Sequence, residues 1–493
     1  MRIFAYTSRT ISIRKIISST LALALGMTLL GTSPCLSQPQ KQLHMPASLA
    51  SPQPAPAPGY EDDTLLIMPA ASADQDEIND ALKEVHGRIV ATIGDGKLKV
   101  LVVRTEKGKL AETEQKLGKD KHFSAIQRNY RAYAQGVPGN THIYFNPKAL
   151  PAPVNDPNFN QEWYLGALHA AQAWQTSRGG GIQIGVFDSG CNFVDDLLTK
   201  MNTGFDSTSP ADQQAPGAWV EGQGGSYLND YIDSILPHNK GGYIDFLGHG
   251  TKVATTASAR ADNGVNTAGV APDALVTPVR IATPDGRGGA TTTDLAIMLG
   301  IQYAKRFGIK LVNISYNAAP PYSYSNAKVH RVVHAFIQDF HDNWNGLVFV
   351  SAGNNGMQDT SPMAPYMIVV SAIDSTFAPV NVPGWWATTY GNPVWFCAPG
   401  LNIACSDKDG SLVSVAGTSF AAPICAGVAA LVWGANPGLR NYQVESIMKA
   451  SCKQLGITPQ PVGNQNQGGP VWSPFFGYGL PDADQAVRMA RGI

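Results

Sequence analysis

Gly417-Thr418-Ser419-Phe420-Ala421-Ala422-Pro423 opens an apolar run that continues to Gly434 through Ile424, Ala426, Val428, Leu431 and Val432. Apolar residues at every phase of the helical repeat describe a helix buried on all sides. Pro423 is expected in its first turn, where a missing N–H has no partner to lose. Ser419 then stands at the N-terminus of a buried helix, where free N–H groups and the dipole favour negative charge. Alone, Gly-Thr-Ser reads as a helix cap. At this place it is also a favourable seat for a nucleophile whose attack creates an oxyanion.

A helix buried all round needs layers to cover it, and the preceding sequence supplies them. Apolar strands are expected at 182–188, 275–281, 311–315, 347–352, 368–372 and 394–398. Helical stretches at 251–259, 292–307, 329–339, 418–434 and 444–450 alternate with them. This alternation predicts an α/β body whose mostly parallel sheet carries helices on both faces. Ligands in such a body bind outside the carboxyl ends of the strands. Asp188 ends the first strand, His249 lies in Gly-His-Gly-Thr at a helix mouth, and Asn354 follows the strand ending Ser-Ala-Gly. Each alone reads as a turn or structural residue; a hydrolase reading explains all of them with Ser419.

The chain has 493 residues, long enough for several domains, and 36 basic against 37 acidic residues. No basic stripe argues for nucleic acid, and no run of like charge marks an interaction tail. Arg2, Arg9, Arg14 and Lys15 precede an apolar run from Ile16 to Leu30 and then small residues to Ser37. This is the pattern of a secretory signal peptide over 1–37, so a secreted or periplasmic product without a stable membrane anchor is expected. Residues 38–60 form a Pro-rich linker. Over 61–135 the order strand-helix-strand-strand-helix-strand predicts a small ferredoxin-like α+β domain. A second linker spans 136–154, and 155–493 form the α/β body. Beyond Cys35, five cysteines remain, an odd set in which Cys397 and Cys405 are the easiest local pair.

Asp188-Ser-Gly, His249-Gly-Thr and Gly-Thr-Ser419-Phe-Ala-Ala-Pro, in this order with Ala-Gly-Asn354 between, resemble the subtilisin family of serine peptidases. Gly269-Val-Ala-Pro272, Val312-Asn-Ile-Ser315 and Phe476-Gly-Tyr-Gly-Leu480 agree with it. The resemblance implies a secreted endopeptidase made as a zymogen, with protein or peptide substrates and no cofactor in catalysis. It implies Ser419 as nucleophile, His249 as general base and then acid, Asp188 as its orienting partner, and Asn354 as oxyanion donor. The substrate rim would be Gly286, Arg287 and Gly288 on one side, with Ser315, Tyr316, Asn317 and Gly353 on the other. The domain at 61–135 would be a propeptide that inhibits in cis, cleaved between Ala134 and Val154. Asp156, Asp196 and Asn263 resemble oxygen ligands of a structural Ca²⁺.

Three departures stand out. Lys252 replaces a second His, Asn317 and Ala318 stand where glycines are common on the rim, and 201–243 is longer than in compact members. That last segment is expected to form a surface loop near the cleft. A catalytically inactive peptide-binding relative and a narrow-specificity maturation protease remain as alternatives.

Overall fold

The computed structural model describes residues 59–94, 98–134, 154–202, 204–208, 244–455 and 471–493. The expected signal peptide and all but the ends of both linkers lie outside these residues. So does most of the segment 201–243.

Tyr60–Pro69 (β1), Arg88–Ile93 (β2), Val100–Arg104 (β3) and Phe123–Ala134 (β4) form an antiparallel sheet in the order β2-β3-β1-β4. Gln75–Glu84 (α1) and Leu110–Leu117 (α2) connect them, giving the split βαβ arrangement expected. The pleat sends alternate side chains to opposite faces. Leu65, Ile67, Leu101 and Val103 pack with Ile78, Leu82, Leu110 and Leu117 of the two helices. Leu66, Val100, Val102 and Ala125 join instead a core belonging to the large body. The sheet is thus covered on both faces, which is why Leu65-Leu66-Ile67 is apolar without interruption.

The large body is built on seven parallel strands. They are Gln183–Asp188 (β5), Phe205–Asp206 (β6), Leu275–Arg280 (β7), Leu311–Ile314 (β10), Leu347–Ser351 (β12), Ile368–Ile373 (β13) and Val394–Pro399 (β14). The spatial order is β14-β13-β12-β10-β5-β7-β6. β6 corrects one expectation: part of the long segment after Met201 extends the sheet edge instead of looping on the surface. Ala282–Pro284 (β8) and Ala290–Thr293 (β9) form a hairpin outside this sheet, and Tyr316–Asn317 (β11) follows β10.

His249–Ser258 (α3), Asp294–Arg306 (α4), Arg331–Trp344 (α5) and Thr418–Ala435 (α6) are the principal helices. The core of one sheet face gathers around α6, and that of the other gathers around α4 and α5. α6 has the length and mean hydropathy (1.6) of a membrane span, yet 94% of it is buried inside this body. Pro423 lies in its second turn, not its first. The N–H it lacks would have bonded the Ser419 carbonyl; that carbonyl accepts from Ser315 Oγ at 2.8 Å instead. The helix continues unbroken because a side chain from β10's end satisfies the orphan acceptor.

Candidate active site

β7 and β10 flank β5 on opposite sides, so the chain changes direction of winding there, and a crevice opens at the strands' carboxyl ends. Asp188 ends β5 and Ser315 follows β10 at that crevice. α3 and α6 bring His249 and Ser419 to it. α3 approaches β5 so closely that a Cβ on Gly250 would lie 2.0 Å from the Gly190 carbonyl oxygen. Only glycine after His249 lets the ring reach the strand end.

His249 Nδ1 lies 2.7 Å from Asp188 Oδ1, and the two groups are 5% and 0% exposed. The same oxygen accepts the Ser189 backbone N–H at 2.7 Å, while Asp188 Oδ2 is buried without a hydrogen-bond partner. The Ser189 hydroxyl lies 3.2 Å from Asp188 but 2.7 Å from Asp245 Oδ1. It has one proton to give, and the shorter contact takes it. Asp245 is a residue that motif reasoning passed over. Its carboxylate also accepts from the N–H groups of Leu247, Gly248 and Thr251 and from the Thr251 hydroxyl. It thereby satisfies the free end of α3 and fixes where that helix starts. Its place four residues before His249, followed by Gly248, was the available signal.

Ser419 is fully buried, and its Oγ donates to the Ser315 carbonyl at 3.2 Å. His249 Nε2 is buried without a hydrogen-bond partner, and its ring stands 5.8 Å from that of Phe420, the residue after Ser419. The hydroxyl therefore faces a carbonyl in the resting arrangement and leaves the imidazole lone pair unserved. Asn354 Oδ1 accepts both the backbone N–H and the hydroxyl of Thr418 at 2.9 Å. This orients the amide with its nitrogen as the donor end. Thr418 Oγ1 also accepts the Gly353 N–H at 3.1 Å, tying the turn after β12 to the head of α6. Thr418 is a second functional neighbour that the sequence reading did not single out.

The expected rim residues divide into two cases. Tyr316 and Asn317 form β11, which pairs antiparallel with the end of β4 at Tyr316↔Ala134 and Asn317↔Tyr133. The Asn317 side chain turns inward, donating to the Ser351 carbonyl at 2.7 Å and accepting from Ala318 and Tyr324 N–H. It braces the rim from behind in a place where glycine would leave it loose. Among the described residues Gly286, Arg287 and Gly288 pair with no strand. Asp285 Oδ1 accepts the N–H groups of Arg287 and Gly289, and both glycines have positive φ (74° and 88°), so the stretch is the turn of the β8–β9 hairpin. The edge that pairs with β4 lies further on, at Thr293↔Arg131, Thr292↔Ala132 and Thr291↔Tyr133.

Asp156, Asp196 and Asn263 come together. Asp156 accepts from the Asp262 and Asn263 N–H groups, and Asp196 Oδ1 accepts from Asn263 Nδ2 at 3.2 Å. Burial raises the pKa of both carboxylates; the Asp262 charge adds to it at Asp156, and the Asp156 charge adds to it at Asp196. Glu162 lies near enough to be raised further by both, after its own burial. Among the described residues none of the three acids has a Lys, Arg or His within ion-pair distance. Lys252 lies elsewhere and pairs with Asp407 at 3.3 Å. The five described cysteines, Cys397 and Cys405 included, are free thiols.

A serine buried at a helix head, with a histidine–carboxylate pair at the same crevice of a parallel α/β sheet, is the arrangement of a serine hydrolase. The chain belongs to the subtilase family, whose sequence model, "Subtilase family", matches residues 179–479. Subtilisin BL of Lederbergia lenta is 26% identical over 327 residues, 66% of this chain and 98% of that protein. Thermitase of Thermoactinomyces vulgaris is 30% identical over 281 residues, 56% of this chain and 84% of that one. Fervidolysin of Fervidobacterium pennivorans, a keratinolytic enzyme related to subtilisin, shares the fold at a TM-score of 0.62 and 21% identity. That match covers 88% of this chain, which spans 62% of fervidolysin's length. The protein is accordingly a serine-type endopeptidase, of a family whose catalysis needs no cofactor.

Proposed function

We propose that this chain is an exported subtilase made as a zymogen, with Ser419, His249 and Asp188 as its triad. The observation that carries the reading is the end of β4. Arg131–Ala134 lies between β9 and β11, hydrogen-bonded on both sides, and its last described residue pairs beside Ser315. A peptide held in this way is presented by its backbone, with side chains left to alternate pockets. Residues 61–135 then act as the inhibitor, and 155–493 as the peptidase.

In the reaction Ser419 Oγ forms a bond to the substrate carbonyl carbon while His249 Nε2 takes the hydroxyl proton. For this the hydroxyl must leave the Ser315 carbonyl, a rotation about one side-chain bond. Asp188 holds Nδ1–H in place and stabilises the imidazolium without taking its proton. Asn354 Nδ2 and the Ser419 N–H stabilise the oxyanion, and the proton on Nε2 then passes to the departing amine nitrogen. Water repeats the sequence on the acyl-enzyme and releases the acid. Asn354→Ala is expected to lower kcat by about 10²–10³ with little change in KM, because the donor acts only on the developing charge. Steady-state kinetics on a chromogenic peptide check this, and an unchanged kcat refutes the assignment.

Export is supported by the basic and apolar N-terminal pattern, and one relative is a cell wall-associated protease of Bacillus subtilis. Asp156, Asp196 and Asn263 would hold a structural Ca²⁺, since buried carboxylates without basic partners favour a hard cation with oxygen ligands. The ion would fix the loop at 262–267 and take no part in the chemistry. Chelator should lower Tm by about 5–10 °C, and Asp196→Asn should abolish that sensitivity. A Tm indifferent to chelator in the parent removes the site.

A further inference from the structure

β10 and β12 run side by side as far as Ile314 and Val350, and their continuations then part. One leads through Ser315 into β11, the other through Gly353 to Asn354. The carbonyl that Ser419 attacks must sit at this fork. Ser419 Oγ stands 3.2 Å from the Ser315 carbonyl on one branch, and Asn354, the proposed oxyanion donor, stands on the other, bonded to Thr418. β4 shows how an extended chain reaches the fork, seated antiparallel on Tyr316 and Asn317. The side chain of the attacked residue therefore meets the gap between the two branches.

That gap already has an occupant. The Asn317 side chain crosses it from β11: its Nδ2 donates to the Ser351 carbonyl at 2.7 Å and to the Ala352 carbonyl at 3.3 Å. Its Oδ1 accepts the Ala318 N–H at 2.8 Å and the Tyr324 N–H at 2.9 Å. An amide offers two N–H groups and two lone pairs, and all four are engaged. Asn317 is 1% exposed, and Ala318, Tyr324, Ser351 and Ala352 are buried with it. Swinging the amide aside would leave buried donors and acceptors unserved, so it does not yield to an entering side chain. The walls are fixed as well. Asp359, beyond β12, accepts from the hydroxyls of Ser323 and Ser325 and from the Ser361 N–H. His334 Nε2 donates to the Tyr324 carbonyl at 2.6 Å. The loop after β11 is thus tied to the segment after β12, and the gap does not widen by parting of its branches.

We propose that Asn317 sets specificity at the attacked residue, admitting short or slender side chains and refusing aromatic ones. The inference rests on the proposed triad, because the positions of Ser419 and Asn354 are what assign the gap to that residue. The cause is volume already taken by rigid polar groups. A phenyl ring would have to displace the amide and lie against the Ser351 and Ala352 carbonyls, which would then have no donor. A methyl group stops short of that depth. Glycine at 317 would leave the same depth open, and a ring could enter it.

Two p-nitroanilide peptides that differ only in the residue bearing the anilide, Ala or Phe, test this. With the purified enzyme, kcat/KM for the Ala peptide should exceed that for the Phe peptide by about tenfold or more. In Asn317→Gly the preference should reverse, and in Asn317→Ala it should lie between the two. The ratio does not depend on how much of a variant is folded, since the same active sites cut both peptides. A role confined to bracing the rim would weaken both peptides alike and leave the ratio as in the parent, which overturns the proposal. So does a parent that cuts the Phe peptide as well as the Ala peptide. If the parent cuts neither and takes up no fluorophosphonate label at Ser419, the triad reading fails, and the specificity reading fails with it.

Discussion

Replacing Ser419 by Ala is expected to lower peptide hydrolysis by about a millionfold and to leave the chain uncut between Ala134 and Val154. The size follows from the covalent route: without the hydroxyl no acyl-enzyme forms, and His249 has no serine proton to take. Only the oxyanion donors and substrate binding would remain. The fold should survive. The change removes one oxygen, the Ser315 carbonyl loses a 3.2 Å contact, and the Ser419 carbonyl keeps its bond from Ser315 Oγ. N-terminal sequencing of the purified protein checks processing. Labelling by a fluorophosphonate probe, present in the parent and absent in Ser419→Ala, checks the nucleophile. Adding a trace of active enzyme should restore cleavage of the intact variant. Residual self-cleavage, or a labelled Ala variant, would place the nucleophile elsewhere, and a parent that never labels would favour an inactive peptide-binding relative.

Asp188→Asn is expected to reduce kcat by about ten-thousandfold while leaving the melting temperature unchanged or higher. An amide keeps the shape, but its nitrogen is a donor. If that nitrogen turns to His249, Nδ1 must become the acceptor, and Nε2 carries the proton it should receive from Ser419. If the oxygen stays in place, the imidazolium loses the opposite charge that stabilises it. The stability expectation rests on different atoms. Asp188 is wholly buried, its Oδ2 has no hydrogen-bond partner, and Asp245 sits one serine away. Two buried carboxylates bridged by one hydroxyl repel, and neutralising either relieves that cost. A variant that loses activity in proportion to lost folding would instead make Asp188 a structural residue. Retained activity would remove it from the mechanism.

How much of this was legible in the sequence depended on how local the cause was. Asp188, His249, Asn354 and Ser419 each stand at the end of a periodic segment, in short motifs whose glycines have backbone reasons to be there. Gly250, after His249, is one, because no side chain fits against the Gly190 carbonyl. Residues 286–288 show how glycines suit an extended rim and a tight turn alike; Asp285, capturing two N–H groups, makes the turn here. Pro423 misled for a non-local reason. Nothing near it in the chain shows that Ser315, about a hundred residues earlier, would take up the carbonyl it leaves bare.

Local pattern alone set the layered α/β body, the burial of the helix beginning at Thr418, and which side chains stand at the carboxyl ends of its strands. Periodicity and turn chemistry act over a few residues and are written there. Long-range packing placed the end of β4 between β9 and β11 and made Asp245 and Thr418 the braces of the histidine and asparagine loops. These contacts join groups dozens to hundreds of residues apart. Their partners are chosen by which buried donors and acceptors remain unsatisfied once the sheet has formed.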